Sequence, residues 1–154
     1  MNYIKYIRNL IGHEMLLTVG CGIIIEDNGR ILLQHRVDED NWCIPGGLME
    51  IGESFEETVK RETFEESGLT ITDLKLFGLY SGNNCFVEYP NKDKVYSIQI
   101  IFMTKNFNGK LKQTSPECLN HAFFERGSLP SNLNPRQKSF ILDWVNRKET
   151  PIIN

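Results

Sequence analysis

The chain has 154 residues, of which 40% are hydrophobic and 24% are charged, and its formal net charge is −3. This length fits one globular domain, and the slight negative charge argues against a protein that coats DNA or RNA. The sequence has no run of the roughly 20 apolar residues that a membrane span needs, and no secretory signal at its start. We therefore expect a single cytoplasmic domain over residues 1–154 that binds neither a nucleic-acid polymer nor a membrane.

The four cysteines are widely spaced and include no CxxC pair; they are Cys21, Cys43, Cys85 and Cys118. Without a zinc-finger spacing, cysteines in a reducing compartment are usually small core residues. We predict four free thiols.

The first predicted elements are a helix and a β-hairpin. Residues 2–11 place five apolar side chains at helical spacing. We interpret residues 1–12 as an N-terminal helical extension that packs on the domain or forms part of a homodimer interface. Two β-rich runs then flank Asn28 and Gly29, a pair that supplies the positive φ angles of a tight hairpin turn.

The helix predicted from Ser54 to Ser67 is marked at both ends. Ser54 and Glu57 have the spacing of a capping box, in which each side chain accepts a hydrogen bond from the other residue's backbone N–H. Gly68 follows where a left-handed residue closes a helix. The sequence therefore defines both helix ends.

Later elements alternate between strands and a final helix. Residues 69–79 and 95–105 predict two strands joined by a polar loop or hairpin, and residues 121–125 predict a further short strand. Residues 135–145 predict a C-terminal helix, with Asn134 as candidate N-cap. Strands interrupted by one central and one late helix indicate an α/β domain in which helices pack on a sheet.

The acids of the central helix form the candidate site. On a helical wheel Glu62, Glu65 and Glu66 project together, and we expect them to face inward beside Phe55 and Val59. Like charges at this spacing repel one another, which predicts a cation among them. Mg²⁺ prefers oxygen ligands and commonly joins a few carboxylates to substrate phosphates. A Glu-rich helix that is simply solvated is the alternative interpretation.

The spacing around this helix resembles the Nudix box, and the resemblance covers Gly47 to Leu69. Seven fixed residues match the family's pattern; they are Gly47, Glu53, Arg61, Glu62, Glu65, Glu66 and Gly68. Such a match is expected by chance about once in 10⁸ starting positions. Thr63 departs from the pattern, because the family usually has an aliphatic residue there. The resemblance implies an α/β/α sandwich around a mixed β-sheet.

The resemblance also implies a reaction and a metal site. The protein would be a pyrophosphohydrolase that cleaves a phosphoanhydride bond of a nucleoside diphosphate linked to another moiety, by attack of water. Its cofactor would be Mg²⁺, for which Mn²⁺ can substitute. Glu65 and Glu66 would be the main metal ligands, with Glu62 and the Gly47 carbonyl as further ligands.

Two further catalytic roles follow from the resemblance. Arg61 resembles the family's structural arginine, which orients Glu53 through the planar fork of its guanidinium. The general base that activates water is left open among Glu53, Glu117 and Glu125.

The sequence outside the box leaves the substrate open. We favour a nucleoside triphosphate or a similar nucleotide, with ADP-ribose or a nucleotide sugar as the alternative. Five aromatic residues are candidates to stack on a base; they are Phe86, Tyr89, Tyr96, Phe123 and Phe124. Two alternatives belong to other classes, a catalytically silent nucleotide-binding regulatory module and an isomerase of a prenyl diphosphate. The intact acids argue against the first, and the extra catalytic groups of the second cannot be placed in this sequence.

Overall fold

The structure is a computed structural model that describes residues 3–154, so residues 1 and 2 of the predicted N-terminal helix lie outside the described part. The helices are α1 (Tyr3–Ile11), α2 (Phe55–Ser67) and α3 (Lys138–Val145), with a 3₁₀ turn at Asn83–Cys85. The strands are β1 (Leu16–Asp27), β2 (Arg30–Arg36), β3 (Trp42–Cys43), β4 (Gly46–Leu48), β5 (Thr70–Thr72), β6 (Lys75–Tyr80), β7 (Phe86–Glu88), β8 (Lys94–Thr104), β9 (Asn106–Asn108), β10 (Cys118–Glu125) and β11 (Ile152–Ile153).

A mixed sheet runs through the centre of the molecule, with strand order β10-β2-β1-β8-β6-β11 along its main path. The long strands β1 and β8 are parallel, in register from Leu16 opposite Val95 to Ile25 opposite Thr104. Their neighbours β2 and β6 run antiparallel to them. The short strand β4 pairs with β1, which fixes the glycines before α2 against the centre of the sheet.

The turn between β1 and β2 confirms the predicted hairpin. Asn28 and Gly29 have φ angles of 50° and 81°, as a two-residue turn of this hand requires. The ladder closes with Asp27 opposite Arg30.

Side-chain alternation along β1 divides the core into two layers. Ile23 and Ile25 pack with Val59 of α2 in one cluster, whereas Ile24 packs with Phe140 of α3 in the other. Burying each such side chain contributes about 1.5–3 kcal/mol. One helix therefore covers each face of the sheet, which confirms the predicted α/β/α sandwich with a mixed sheet.

Several element boundaries differ from prediction; β10, for example, begins at Cys118 and not at residue 121. The strand expected over residues 69–79 is divided into β5 and β6, because Asp73 adopts a left-handed φ of 51°. The N-cap of α3 is Gln137, so the assignment of Asn134 as the cap is wrong. Asn134 instead accepts a hydrogen bond from the backbone N–H of Arg136 at 3.0 Å, which stabilises the turn before the helix.

The N-terminal helix forms as predicted over the described residues, and Arg8 fastens it. The Arg8 guanidinium donates hydrogen bonds to the carbonyls of Glu14 at 2.7 Å and Lys94 at 2.8 Å, and lies 3.6 Å from the Asp93 carboxylate. Within α1 no side chain is fully buried, and Tyr6 and Leu10 are 51% and 65% exposed. The helix is therefore tied to the start of β8 mainly by polar contacts.

Two expectations from the sequence can be compared with the structure, that the cysteines are free thiols and that no segment spans a membrane. All four cysteines are free thiols, three of them buried and Cys85 half-buried, which confirms the prediction. In the described part of the chain, no helix is both long enough and apolar enough to span a bilayer.

Candidate active site

Both ends of α2 are built as the sequence predicts. The Ser54 hydroxyl accepts a hydrogen bond from the Glu57 backbone N–H at 3.2 Å, and the Glu57 carboxylate accepts one from the Ser54 N–H at 2.8 Å. Gly68 has a φ of 78°, and its N–H donates to the Phe64 carbonyl. An N-cap of this kind contributes about 1 kcal/mol. These caps fix the ends of the helix that carries the acids.

Small side chains, not the acids, form the inner side of α2. Thr58, Val59, Thr63 and Ser67 are buried. The hydroxyls of Thr63 and Ser67 donate to carbonyls one turn earlier, each at 2.6 Å. Thr63, the departure from the family pattern, is thus a buried residue whose hydroxyl is satisfied. The prediction that Phe55 lies on the inner side is wrong, because Phe55 is 45% exposed.

The predicted metal ligands Glu66 and Glu65 occupy different environments. Glu66 is half-buried and accepts a hydrogen bond from the Gly46 N–H at 2.8 Å. Burial raises the pKa of Glu66 to about 7, although the Gly46 N–H acts in the opposite sense. The Glu65 side chain is 58% exposed, so the prediction that all three acids face inward is wrong for Glu65.

Glu62 lies directly against Gly47. A Cβ on Gly47 would come within 2.4 Å of the Glu62 carboxyl carbon, so a larger residue at this position would displace the acid. Burial is the main cause that raises the pKa of Glu62, while the neighbouring Arg61 guanidinium opposes the shift. Glu62 and Glu66 therefore place two partly desolvated carboxyls beside the glycines of β4.

Arg61 joins the acids of the box. Its Nε and Nη2 donate to the two oxygens of Glu53 at 2.6 and 2.9 Å. Its Nη1 donates to Glu62 at 2.6 Å and lies 3.5 Å from Glu65. Bidentate, charge-assisted bonds of this type are strong and directional. The contacts are those that a positioning arginine needs.

The Glu53 carboxylate is held from several directions. Besides Arg61, the Thr58 hydroxyl donates to it at 2.8 Å and the Glu50 N–H at 3.0 Å. These bonds, chiefly those from Arg61, lower the pKa of Glu53 to about 2. A general base works best with a pKa near the working pH, so Glu53 is poorly suited to accept a proton in this arrangement.

The other two base candidates lie at opposite ends of β2. The Glu117 carbonyl accepts a hydrogen bond from the Val37 N–H, just beyond the end of β2, and the Glu117 charge contributes to the raised pKa of Glu62. Glu125 pairs with Arg30, at the start of the seven-residue strand. That length corresponds to about 20 Å. Glu125 is therefore too far from the box to act as the base.

The oxygen atoms of the box fit a hard divalent cation. Burial is the main cause that raises the pKa values of both Glu62 and Glu66, and a cation bound beside them would stabilise their ionised forms. Across residues 3–154, no three acidic, histidine or cysteine side chains come close enough to hold an ion by themselves. The fit is therefore to an ion that keeps several waters and shares its coordination with substrate phosphates.

A cleft on the α3 face of the sheet adjoins the box and was not predicted. It has a volume of about 210 Å³, and its lining includes Gly47, Leu48, Tyr89, Gln99, Arg136 and Phe140. Of the aromatic residues proposed to stack on a base, Tyr89 lines the cleft, whereas Phe123 stacks on Phe107 and Phe124 packs edge-on against a tryptophan. The lining comes from segments far apart in sequence, so no local pattern marked it.

Comparison with known proteins agrees with this geometry. The NUDIX domain family model matches residues 16–144. An ADP-ribose pyrophosphatase from Methanocaldococcus jannaschii is 34% identical over 130 residues, which cover 82% of this chain and 72% of that protein. A MutT-like protein from Streptomyces ambofaciens is 37% identical over 59 residues, 38% of each chain.

A solved structure is also similar. The crystal structure of the MutT NUDIX hydrolase from Burkholderia pseudomallei matches with a TM-score of 0.68 and 25% identity, over 82% of this chain and 97% of that one. The family model spans most of this chain, and the archaeal relative is similar over most of both chains. This protein therefore belongs to the NUDIX family and is a Nudix hydrolase.

Proposed function

We propose that this protein is a Mg²⁺-dependent Nudix pyrophosphohydrolase that cleaves the phosphoanhydride bond of a nucleoside diphosphate linked to another moiety. One observation carries the proposal, the pair of partly desolvated carboxyls at the β4 glycines. Glu66 is bound to the Gly46 N–H, and Glu62 lies against Gly47. Two such acids beside exposed backbone form a site for a cation together with phosphate oxygens.

The proposed ligands of Mg²⁺, or of Mn²⁺ in its place, are Glu62, Glu65, Glu66 and the Gly47 carbonyl. Among residues 3–154, the Glu65 carboxylate is held only by the 3.5 Å contact to Arg61, and it supplies its charge from the solvent side. When bound, the ion neutralises phosphate charge and lowers the pKa of the attacking water.

The remaining residues of the box hold these groups in place. Arg61 keeps Glu53 and Glu62 at fixed positions, so Glu53 acts as a positioning residue. The proposed general base is Glu117, which lies near enough to Glu62 to affect its pKa. Within residues 3–154, no side-chain hydrogen bond or ion pair engages the Glu117 carboxylate, so it is available to accept a proton from water.

The proposed substrate is a nucleotide derivative whose nucleoside lies in the cleft on the α3 face. The amides of Asn84 and Gln99 and the ring of Tyr89 line this cleft, and such groups recognise a base by hydrogen bonding and stacking. The ADP-ribose pyrophosphatase and MutT-like relatives support this class. A nucleoside triphosphate remains the first candidate, with ADP-ribose or a nucleotide sugar as the alternative.

A substrate screen tests the proposal. The full-length protein is incubated with nucleoside triphosphates, dinucleotides, ADP-ribose and nucleotide sugars, with Mg²⁺ or Mn²⁺ and with a chelator as control. We expect metal-dependent hydrolysis of at least one group of nucleotides. Inactivity toward every compound in the screen would overturn the proposed hydrolytic activity and would indicate a silent nucleotide-binding module.

We further propose that residues 1–154 act as one domain in the cytoplasm, where its free thiols stay reduced. The exposed side chains of Tyr6 and Leu10 are the candidate homodimer contact. Sedimentation tests the dimer: Leu10→Glu is expected to shift a dimer toward monomer, and an unchanged assembly removes α1 from the interface.

A further inference from the structure

A glutamine amide lies across a glycine in the cleft on the α3 face. Gln99 of β8 is directly opposite Gly20 of β1 in the parallel ladder, and both residues line the cleft. A Cβ on Gly20 would come within 2.8 Å of the Gln99 Nε2 and 2.9 Å of its Oε1. The amide therefore occupies the space that a side chain at residue 20 would otherwise take.

A second contact fixes the direction in which this amide points. The Gln99 Nε2 donates to the Ser97 hydroxyl oxygen at 2.7 Å, and Ser97 lies on the same face of β8, two residues earlier. Among residues 3–154, no group donates to the Gln99 Oε1. This oxygen is not enclosed, because the one buried side-chain atom without a partner in this range belongs to Thr18. The amide thus offers the cleft an open acceptor beside its second N–H.

Charged groups at the cleft are either engaged or absent. Arg36 donates to both carboxylate oxygens of Asp38, at 2.8 and 2.7 Å, and Arg136 donates to Glu39. In the described part of the chain, no aspartate or glutamate lines the cleft. Neutral side chains, with the Gln99 amide among them, are therefore left to recognise the polar edge of a base.

An amide and a charged side chain fit different purines. A glutamine amide has a donor beside an acceptor, and it pairs with N7 and the N6 amino group of adenine. Guanine presents two adjacent donors, N1–H and its N2 amino group, which match the two oxygens of a carboxylate. Its O6 and N7 edge pairs best with arginine or lysine. The cleft offers neither a carboxylate nor an uncommitted arginine.

We propose that Gln99 is the residue that recognises the base, and that its amide, held over Gly20 by Ser97, selects adenine over guanine. The inference rests on the proposed function, which places the nucleoside in this cleft. Gln99 contacts the base, whereas Gly20 and Ser97 are positioning residues. The preferred substrates are therefore derivatives of adenosine diphosphate.

Matched pairs of substrates test this selectivity. ATP and GTP differ only in the base, as do ADP-glucose and GDP-glucose, so the two pairs cover both substrate groups that the proposed function leaves open. For the pair that is hydrolysed, we expect kcat/KM to be about tenfold or more higher with adenine, the size of effect that one bidentate contact to a base produces. Equal values, or a preference for guanine, would overturn the proposal.

Substitutions of Gln99 test the contact itself. Gln99→Leu removes both hydrogen-bonding groups and is expected to bring the adenine to guanine ratio of kcat/KM close to one. Gln99→Glu replaces the donor by a second acceptor and is expected to reverse the ratio in favour of guanine. Gln113→Glu makes the same chemical change at an exposed position and is the control. An unchanged ratio in Gln99→Leu would show that another residue recognises the base.

Gly20→Ala tests the positioning role. The added methyl meets the flexible end of the Gln99 side chain, so we expect the fold to be retained and the ratio to fall about fivefold, the loss of one hydrogen bond. Ser97→Ala removes the anchor without adding an atom and should act in the same direction. Gly22→Ala, whose methyl meets Ile44 instead, is the matched control.

A double variant separates positioning from packing. In the Gln99→Leu background there is no amide to displace, so adding Gly20→Ala should leave the ratio unchanged. An equal effect of Gly20→Ala with and without the amide would show that Gly20 acts through packing alone and would remove it from the proposal.

A binding measurement distinguishes this proposal from the enzymatic one. AMP and GMP are titrated into protein with ¹⁵N-labelled glutamine side chains, and the Gln99 signals are assigned by their absence in Gln99→Leu. We expect AMP to shift these signals and to bind about tenfold more tightly than GMP. If no substrate is hydrolysed but AMP binds in this way, the proposed function fails and the Gln99 assignment stands. If hydrolysis occurs and neither base nor Gln99→Leu changes it, the assignment fails alone.

Discussion

Two glutamates of this protein, Glu53 and Glu26, are each held by an arginine, but the two clusters have opposite charge balance. Glu53 shares Arg61 with the further acids Glu62 and Glu65, so one cation serves three carboxylates. Glu26, near the far end of β1, is paired with two cations of its own. The first cluster lacks positive charge and the second does not.

The Glu26 cluster is closed by groups from three parts of the chain. Glu26 accepts hydrogen bonds from Arg126 at 2.9 Å and from the Trp144 indole N–H at 2.7 Å, and Lys105 lies 3.1 Å away. Burial alone would raise the pKa of Glu26, but these partners lower it overall. Both clusters contain arginine–glutamate ion pairs, so an ion pair alone does not identify the candidate active site. The excess of negative charge in the Glu53 cluster is what distinguishes it from the structural cluster around Glu26.

The largest effect is expected from Glu66→Gln. The amide can still accept the Gly46 N–H bond, but it removes a charge from the proposed metal site. We expect kcat to fall by more than about 100-fold, beyond the usual effect of outer-shell groups, while the fold is retained. The measurement is Mg²⁺-dependent turnover with circular dichroism as the check on folding. Glu56→Gln, on the exposed side of α2, is the control, and wild-type turnover in Glu66→Gln would refute the metal assignment.

The next effect distinguishes the base from the positioning acid. Glu117→Gln is expected to lower kcat about 100-fold, within the range for loss of a general base, and to remove the acidic limb of the pH profile. Glu53→Gln keeps part of the contact with Arg61 and is expected to lower kcat about tenfold, at the low end for a supporting group, with the limb retained. The reverse pattern would make Glu53 the base.

Glu53 also has a stability signature. Because its pKa is lowered from 4.5 to about 2 in the folded protein, its contribution to stability is present above pH 4.5 and is lost as the pH falls through about 2. Acid unfolding of Glu53→Gln should therefore show a weaker pH dependence in this window than the wild-type protein. Curves of equal slope would show that Arg61 does not stabilise the Glu53 charge.

In the balanced cluster the expected effect is on stability alone. Glu26→Ala leaves Arg126 and the Trp144 N–H without their acceptor, and we expect a loss of about 2 kcal/mol, below the range for fully buried pairs since Arg126 keeps some contact with solvent. Urea unfolding measures the loss, and kcat should stay within about twofold. Glu88→Ala, which removes an exposed pair with Lys92, is the control. A large fall in kcat for Glu26→Ala would contradict the claim that the Glu26 cluster contributes to stability and not to catalysis.

The two clusters also differ in how far the sequence predicts them. Glu53 and Arg61 are eight residues apart and lie in one motif, so the resemblance to the Nudix box already implied that they pair. Glu26 and Trp144 are 118 residues apart, and they meet only because β1 and α3 occupy the same end of the sheet. The same holds for the cleft on the α3 face, whose lining comes from segments far apart in the chain. The Asn28-Gly29 pair was enough to predict a hairpin turn from the sequence. No comparable sequence pattern predicted the left-handed φ of Asp73.

The smallest effect concerns two threonines in neighbouring parallel strands. Thr18 in β1 has a buried hydroxyl without a partner among residues 3–154, whereas the Thr104 hydroxyl in β8 donates to the Thr72 carbonyl at 2.5 Å and accepts from the Asn106 N–H at 3.0 Å. Replacing each by valine removes the same atom. Without ligand, Thr18→Val is expected to raise the free energy of unfolding by about 1 kcal/mol and Thr104→Val to lower it by about the same amount or more.

Thermal unfolding of the two threonine variants measures the difference as shifts of a few degrees in opposite directions. A fall in Tm for Thr18→Val would mean that a water molecule or another group already satisfies this hydroxyl. A rise would show that the unpaired hydroxyl lowers the stability of the fold, as expected for a buried polar atom without a hydrogen-bond partner.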